Sequence, residues 1–188
     1  MKRAVVFIDG GNFYFRLRDL TSTFEDRPSL LSFPFMRFCD WLVRPHQLVA
    51  VHYYIGALKR QRGNQKSEKM YADQQKLIAT LREQKVSVIL GHVIQHPDKS
   101  YHEKGVDVRI AVEMIRLARE DRYDVAYLVS SDTDLVPAVE EVRLLRKEVC
   151  YTGFSRSQSF GLTKASSDTR LIRSEEVLPF FTKSEESL

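Results

Sequence analysis

Hydrophobic and polar positions along the chain fall into two alternating kinds of block. Five short apolar runs, "RAVVFID" (3–9), "QLVAVHYYIGA" (47–57), "VSVILGHVI" (86–94), "DVAYLVS" (124–130) and "EVCYTGF" (148–154), predict buried strands. "TRLI" (169–172) predicts one more, shorter strand. Between these runs the apolar positions recur at helical spacing. "GGNFYFRLRDL" (10–20) and "FMRFCDWLV" (35–43) predict helices, and residues 67–84 carry Met70, Tyr71, Leu77, Ile78 and Leu81 at the helical period. Further helices are predicted from about Val106 to Glu120, from the fourth strand to about Lys147, and as a short piece near 157–166. Residues 21–34, with two prolines and several serines, and the polar stretch 95–105 predict loops. Strands alternating with helices predict an α/β fold in three layers, a central, mainly parallel sheet of five to six strands flanked by helices. In such sheets function gathers at the carboxyl ends of the strands, near the switch in strand order.

Composition narrows the class. A chain of 188 residues fits one domain with a single sizeable core, and 43% hydrophobic with 29% charged residues is globular rather than disordered. No apolar run approaches the roughly 20 residues of a membrane span. The opening "MKRAVVFIDGGN" lacks the long apolar segment of a signal peptide. Cys39 and Cys150 sit in apolar patterns far apart, which predicts buried free thiols and a cytoplasmic location. The net charge of +4 is uneven: the last fifteen residues carry −3, leaving +7 on residues 1–173. This divides the chain into a domain, 1–173, and an acidic tail, 174–188. A modest basic excess permits a nucleic-acid partner without requiring one.

Acidic residues sit where the fold would gather function. Asp9 ends the first predicted strand, and Asp132 and Asp134 follow the fourth in "LVSSDTDL". Parallel strands would bring all three to one edge. The local account of the pair is helix capping, since Ser131 and Asp134 fit a capping box. Pro137 opposes that register. With Ser131 as cap the proline falls in the second turn and removes a hydrogen bond, whereas Asp134 as cap places it at the third helical position. Asp132 is then left without a capping task. Asp107, in "KGVDVRIAVEMI", shares its helical face with Ile110, Ala111, Met114, Leu117 and Ala118, and Val108, Val112 and Ile115 extend the apolar arc. Asp107 therefore points toward the core, facing either the positive end of the helix dipole or a bound cation. Four carboxylates from three distant segments would repel one another without a cation. An all-oxygen set suits Mg²⁺ or Mn²⁺. The irregular spacing of His92, His96 and His102 does not suit zinc.

Three segments, "FIDGGNFY", "KGVDV" and "VSSDTDL", resemble in order and spacing the signature segments of the NYN domain in its LabA-like branch, within the PIN-like nuclease superfamily. The resemblance covers about residues 3–172. It implies a PIN-like parallel sheet with an acidic metal site at its carboxyl edge and metal-dependent cleavage of RNA. The catalytic set it implies is Asp9, Asn12, Asp107, Asp132 and Asp134. The four aspartates would bind Mg²⁺ or Mn²⁺, and Gly10 and Gly11 would make a tight turn that brings Asn12 to a phosphate or a metal-bound water. "ASSDTRLI" is similar to the family's closing segment, with Asp168 a weaker candidate. Glu113 stands where the family often has aspartate, but the helical wheel puts it at the edge of the polar face.

Basic residues would recruit the RNA backbone. Lys59, Arg60 and Arg62 follow the second strand, Arg156 follows the fifth, and Lys104 precedes Asp107. Phe13 and Tyr14 are either base-stacking residues or core. The reading is a metal-dependent ribonuclease acting on single-stranded RNA. A haloacid-dehalogenase-like phosphatase would need a carboxylate where Gly11 stands, and "GGN" has no dinucleotide-binding register. The alternative is a non-catalytic regulatory module of the same fold that binds RNA or a protein partner. A homo-oligomer is compatible with either reading.

Overall fold

The computed structural model describes residues 1–20, 29–95, 101–155 and 157–181, with backbone alone at 92–95 and 101–104. The first strand, β1 (Arg3–Asp9), is followed by α1 (Gly10–Leu20), α2 (Phe35–Val43), β2 (Gln47–Gly56), α3 (Gln65–Glu83) and β3 (Ser87–Gln95). Then come β4 (Tyr101–Lys104), α4 (Val106–Arg119), β5 (Val125–Val129), α5 (Val136–Leu144), β6 (Glu148–Phe154), α6 (Phe160–Ala165), β7 (Asp168–Ile172) and α7 (Ser174–Val177). Sheet order among the described residues is β4-β3-β2-β1-β5-β6-β7. Six of these strands run parallel, as the alternating pattern predicts. The seventh, β4, is antiparallel to β3 and lies inside the stretch expected to be a loop.

The central strands are apolar on both faces because both faces are covered. In β1 burial is continuous from Ala4 to Asp9, and every residue of β5 is buried. On one face Phe13, Leu17 and Leu20 of α1, spaced i, i+4 and i+7, join Phe35, Phe38 and Leu42 of α2 and Leu81 of α3. On the other, Ile110, Met114 and Leu117 of α4 pack with Val139 and Val142 of α5 and Leu162 of α6. The first core is aromatic. Phe13 packs on Phe33, Phe35, Phe38 and Phe154 with ring centroids 5.6–5.9 Å apart, and each buried ring contributes roughly 1.5–3 kcal/mol of transfer free energy.

Two boundaries differ from expectation for physical reasons. Residues 174–181, expected to open the acidic tail, pack on the domain: Val177 and Phe180 are buried, and Phe180 meets Phe33, Phe38 and Trp41 with the Arg37 guanidinium 5.6 Å from its ring centre. The aromatic pair in "VLPFF" supplies apolar area that outweighs the adjacent glutamates. Val108 and Val112, expected to extend the apolar arc of α4, are exposed, since that arc is wider than the strip the sheet covers. Cys39 and Cys150 are free and buried, and burial pushes the Cys150 thiol up to about 12.

Sheet topology sets where a site can lie. β1 leads through α1 and α2 to β2 on one side, and β5 leads through α5 to β6 on the other. The strand order therefore reverses between β1 and β5, and a crevice opens above their carboxyl ends. The β3–β4 hairpin brings α4 to the same edge. Residues 87–91 of β3 pair with β2, but residues 92–95 continue past the end of β2 and pair with β4 on its return. Gly105, at φ 81°, then turns the chain into α4, so Asp107 starts its helix at the carboxyl edge.

Candidate active site

Asp9 is the last residue of β1, 8% exposed, and lies at the switch in strand order. Its Oδ1 accepts the Asn12 backbone N–H at 3.0 Å, which a helix starting directly at Gly10 aims back at the strand end. Its Oδ2 accepts the Ser130 hydroxyl across the crevice at 2.9 Å. The same Ser130 oxygen accepts the Asp132 N–H at 3.1 Å, and Asp132 Oδ1 accepts the Asp134 N–H at 2.9 Å. One chain of hydrogen bonds thus ties the end of β1 to the turn after β5. Ser130 is buried, and the sequence reading missed it. Its signal is a hydroxyl placed at the first position after an apolar strand.

Burial, and secondarily the charge of Asp132, push the Asp9 carboxyl above the ordinary carboxylate range, against the stabilising Asn12 and Ser130 hydrogen bonds. Asp107, half-buried in the first turn of α4, is also raised, by burial first and then by the charges of Asp132, Asp9 and Asp134. The negative charge gathered from three segments at this edge thus opposes the ionisation of Asp9 and of Asp107. Among the described residues none of the four forms an ion pair with a lysine or arginine. Acids at the opposite edge behave in the reverse way. Arg3 binds Asp124 at 2.8 Å and Asp121 at 3.1 Å, and Lys147 also binds Asp121. Hydrogen bonding to Arg3 holds the Asp124 carboxyl well below its usual range.

The turn after β5 corrects the capping assignment. A 3₁₀ turn, Thr133–Leu135, is interposed before α5, and its cap is Asp132, not Asp134. The interposed turn moves the start of α5 to Val136, so Pro137 falls in the first helical turn without help from Asp134. Asp134 is exposed and Asp132 half-buried, both beside the crevice. The glycine expectation also changes. Neither Gly10 nor Gly11 forms a turn, because both are inside α1. Gly10 is needed for close approach: a Cβ there would lie 2.4 Å from the Tyr53 ring and 2.6 Å from the Tyr54 carbonyl oxygen.

Among the described residues no group of three His, Cys, Asp or Glu side chains is close enough to enclose an ion. The donor set still fits a hard divalent cation, being all oxygen and free of basic partners in that set. Mg²⁺ takes one or two carboxylates directly and keeps several waters, which suits an open arrangement of this kind. Asp168 lies toward the amino end of the sheet, opposite Cys150, and its carboxylate accepts the Thr169 N–H, so it is remote from the crevice. Glu113 is already partnered, accepting the Tyr54 hydroxyl at 2.6 Å and pairing with Arg116 at 3.3 Å.

The basic candidates divide. Lys59, Arg60 and Arg62 are all exposed beyond β2; Arg60 pairs with Glu68 at 3.3 Å, and Lys59 lines a cavity with Lys66, which the sequence reading did not single out. Lys104 ends β4 beside Gly105, with its side chain outside the described residues, and Arg156 lies outside them altogether. Of the two neighbouring aromatics, Phe13 is core and Tyr14 is 43% exposed beside the crevice.

A doubly wound α/β sheet with acids gathered at its switch point is one of the frameworks on which phosphate esters are handled. The NYN domain family profile matches residues 3–175, and the chain belongs to that family, which lies within the PIN-like nuclease superfamily. No curated protein matches the chain significantly. A protein of unknown function from Vibrio parahaemolyticus shares the fold: 21% identity, 91% of this chain and 93% of that one covered, TM-score 0.61. MurG of Acinetobacter baumannii is similar at 9% identity over 91% of this chain and 45% of that one, with a TM-score of 0.42 that bears no argument. NYN domains are generally nucleases and typically depend on divalent metal. Among the described residues no helix is long and apolar enough to cross a membrane.

Proposed function

We propose that the chain is a metal-dependent ribonuclease of the LabA-like branch that hydrolyses phosphodiester bonds of single-stranded RNA. The observation that supports it most is the gathering of acids at the switch point, where neighbouring charge opposes the ionisation of Asp9 and Asp107, without a basic partner among the described residues. Such a set is unfavourable to hold together unless a cation belongs there. Asp9, Asp107 and Asp132 would hold Mg²⁺ or Mn²⁺, with Asp134 supporting from the rim. When bound, the ion supplies an activated water and neutralises charge growing on the phosphoryl oxygens. The chain's own part is positional. Asn12 N–H and Ser130 O–H fix both oxygens of Asp9. Asn12 sits at the rim of α1, from which its side chain would reach a phosphate, and Lys59, Arg60, Arg62, Lys104 and Arg156 would attract the RNA backbone. Buried free thiols support a cytoplasmic location.

The test is cleavage of a labelled single-stranded RNA by the pure protein with Mn²⁺ or Mg²⁺, and with EDTA. Asp9→Asn and Asp132→Asn should each abolish a metal-dependent activity. Equal degradation by wild type and both variants would show that the activity belongs to a contaminant. One observation favours the alternative, a non-catalytic module binding RNA or a protein: no three acidic side chains already enclose an ion among the described residues. That reading predicts binding without cleavage under either metal.

A further inference from the structure

A groove opens on the α1 side of the sheet, beside the end of β1. It begins at Gly10 and Gly11, where a 220 Å³ cavity is walled by Tyr14, Leu30, Leu58 and Leu77. The same residues line an adjoining cavity of 490 Å³ that reaches Met70. Leu58 and Met70 continue into a third, of 340 Å³, whose outer wall carries Lys59 and Lys66. Volumes of this order accommodate small-molecule-sized ligands. The route thus starts at the two residues that follow Asp9, is mostly apolar in the middle, where Asp73 also lines it, and is basic at its mouth.

The groove is held open by a buried side chain. Gln74 is 7% exposed; its Nε2 donates to the Gly56 carbonyl at 2.7 Å, and its Oε1 accepts the Leu58 N–H at 2.9 Å. The amide thereby replaces a missing strand neighbour for the chain leaving β2 and fixes Leu58 and Lys59 beside the groove. Tyr14 presents its ring from α1 on the facing wall. Gly11, half-exposed, lines the inner end of the groove two residues after Asp9.

We infer that this groove is a nucleotide subsite, in which the base next to the scissile phosphate stacks on Tyr14 over Leu58 and Leu77, while the following phosphate meets Lys59 and Lys66. The inference rests on the nuclease reading of the acidic centre and adds to it the residues that hold the neighbouring nucleotide. The occupant is RNA because the groove starts at Gly10 and Gly11, directly after Asp9, and ends at two lysines, Lys59 and Lys66, that suit a phosphate. Gln74 is a positioning residue: it touches the segment that touches RNA.

The experiment compares wild type, Tyr14→Ala, Tyr14→Phe, Lys66→Ala and Asp9→Asn, all as the full chain with Mn²⁺. Two substrates are used, a fluorescein-labelled oligouridylate and a fluorescein-labelled oligomer of abasic ribose phosphates, which has no ring to stack. Tyr14→Ala should raise KM for the RNA about five- to a hundred-fold, as loss of one stacked base does, with kcat and melting temperature unmoved. Tyr14→Phe should restore it, and Lys66→Ala should lower the salt slope of binding by about one. Cleavage of the abasic oligomer should respond to Tyr14→Ala less than cleavage of the RNA does, and should be lost in Asp9→Asn. An unchanged RNA KM in Tyr14→Ala overturns the groove and leaves the nuclease standing. If wild type cuts neither substrate, anisotropy with the same RNA decides: binding weakened by Tyr14→Ala supports the groove on a non-catalytic chain, and no Tyr14-dependent binding overturns it together with the nuclease reading.

Discussion

Replacing Gly10 by alanine tests the geometry on which the acidic centre stands. The added Cβ would lie 2.4 and 2.7 Å from two ring carbons of Tyr53 and 2.6 Å from the Tyr54 carbonyl oxygen, against an ordinary carbon contact of roughly 3.5–4.0 Å. Neither neighbour can yield easily. Tyr53 is fully buried, donates to the Gly10 carbonyl at 3.3 Å and packs edge-on against Phe35; Tyr54 contributes backbone within a paired strand. Helix α1 must therefore move away from β2. Overpacking of this kind costs about 1–3 kcal/mol. Alanine's better helix propensity offsets it by up to about 1 kcal/mol. The net loss of about 1–2 kcal/mol corresponds to a fall of roughly 2–8 °C in melting temperature for a chain of this size. The shift also carries the Asn12 N–H away from Asp9, so metal-dependent RNA cleavage should fall by up to about a hundredfold. Gly161→Ala is the control, since its Cβ would meet Thr133 at 3.3 Å, a contact small motions relieve; it should melt within about 3 °C of wild type. Scanning calorimetry with EDTA measures both. A Gly10→Ala protein that melts at or above wild type would refute the close approach of α1 to β2.

Three further outcomes follow from the same structure. Asp9 has a raised carboxyl pKa, so its contribution to folding is fully present below the ordinary value of 3.8 and is lost as pH rises through the higher folded value. Asp9→Asn should therefore melt higher than wild type at pH 7.5 in EDTA, with the gain vanishing near pH 4; a gain independent of pH would contradict this. Saturating Mn²⁺, at about a hundred times its dissociation constant, should stabilise wild type by about 2.7 kcal/mol and leave an Asp9→Asn/Asp132→Asn double variant unmoved in thermal scans. Phe180→Ala should cost about 3 kcal/mol in urea unfolding, because its ring is embedded among Phe33, Phe38 and Trp41; a cost under about 0.5 kcal/mol would mean that residues 174–181 are dispensable.

The sequence by itself determined the layered α/β class, the parallel direction of the main strands and the bounds of most of their elements. Helix α2 and strand β6 fall on the residues read from the apolar pattern. It did so because a sheet covered on both faces leaves continuous apolar runs, and a helix on that sheet leaves a 3.6-residue stripe; both are local signals. Candidate acids were legible for a related reason: Asp9 and Asp132 interrupt apolar pattern at strand ends. What stayed hidden was long-range. β4 pairs only because β3 overshoots its neighbour, and no pattern within Tyr101–Lys104 states that. Ser130 and Gln74 look like ordinary polar residues until the fold sets one against Asp9 and the other against Gly56 and Leu58. Likewise "FIDGGN" cannot say why Gly10 is glycine, since the reason is a tyrosine ring 43 residues further along the chain. The Asp9–Asp132 opposition is of the same kind. Charge is written in the sequence, but repulsion depends on distance, and tertiary structure alone sets that distance.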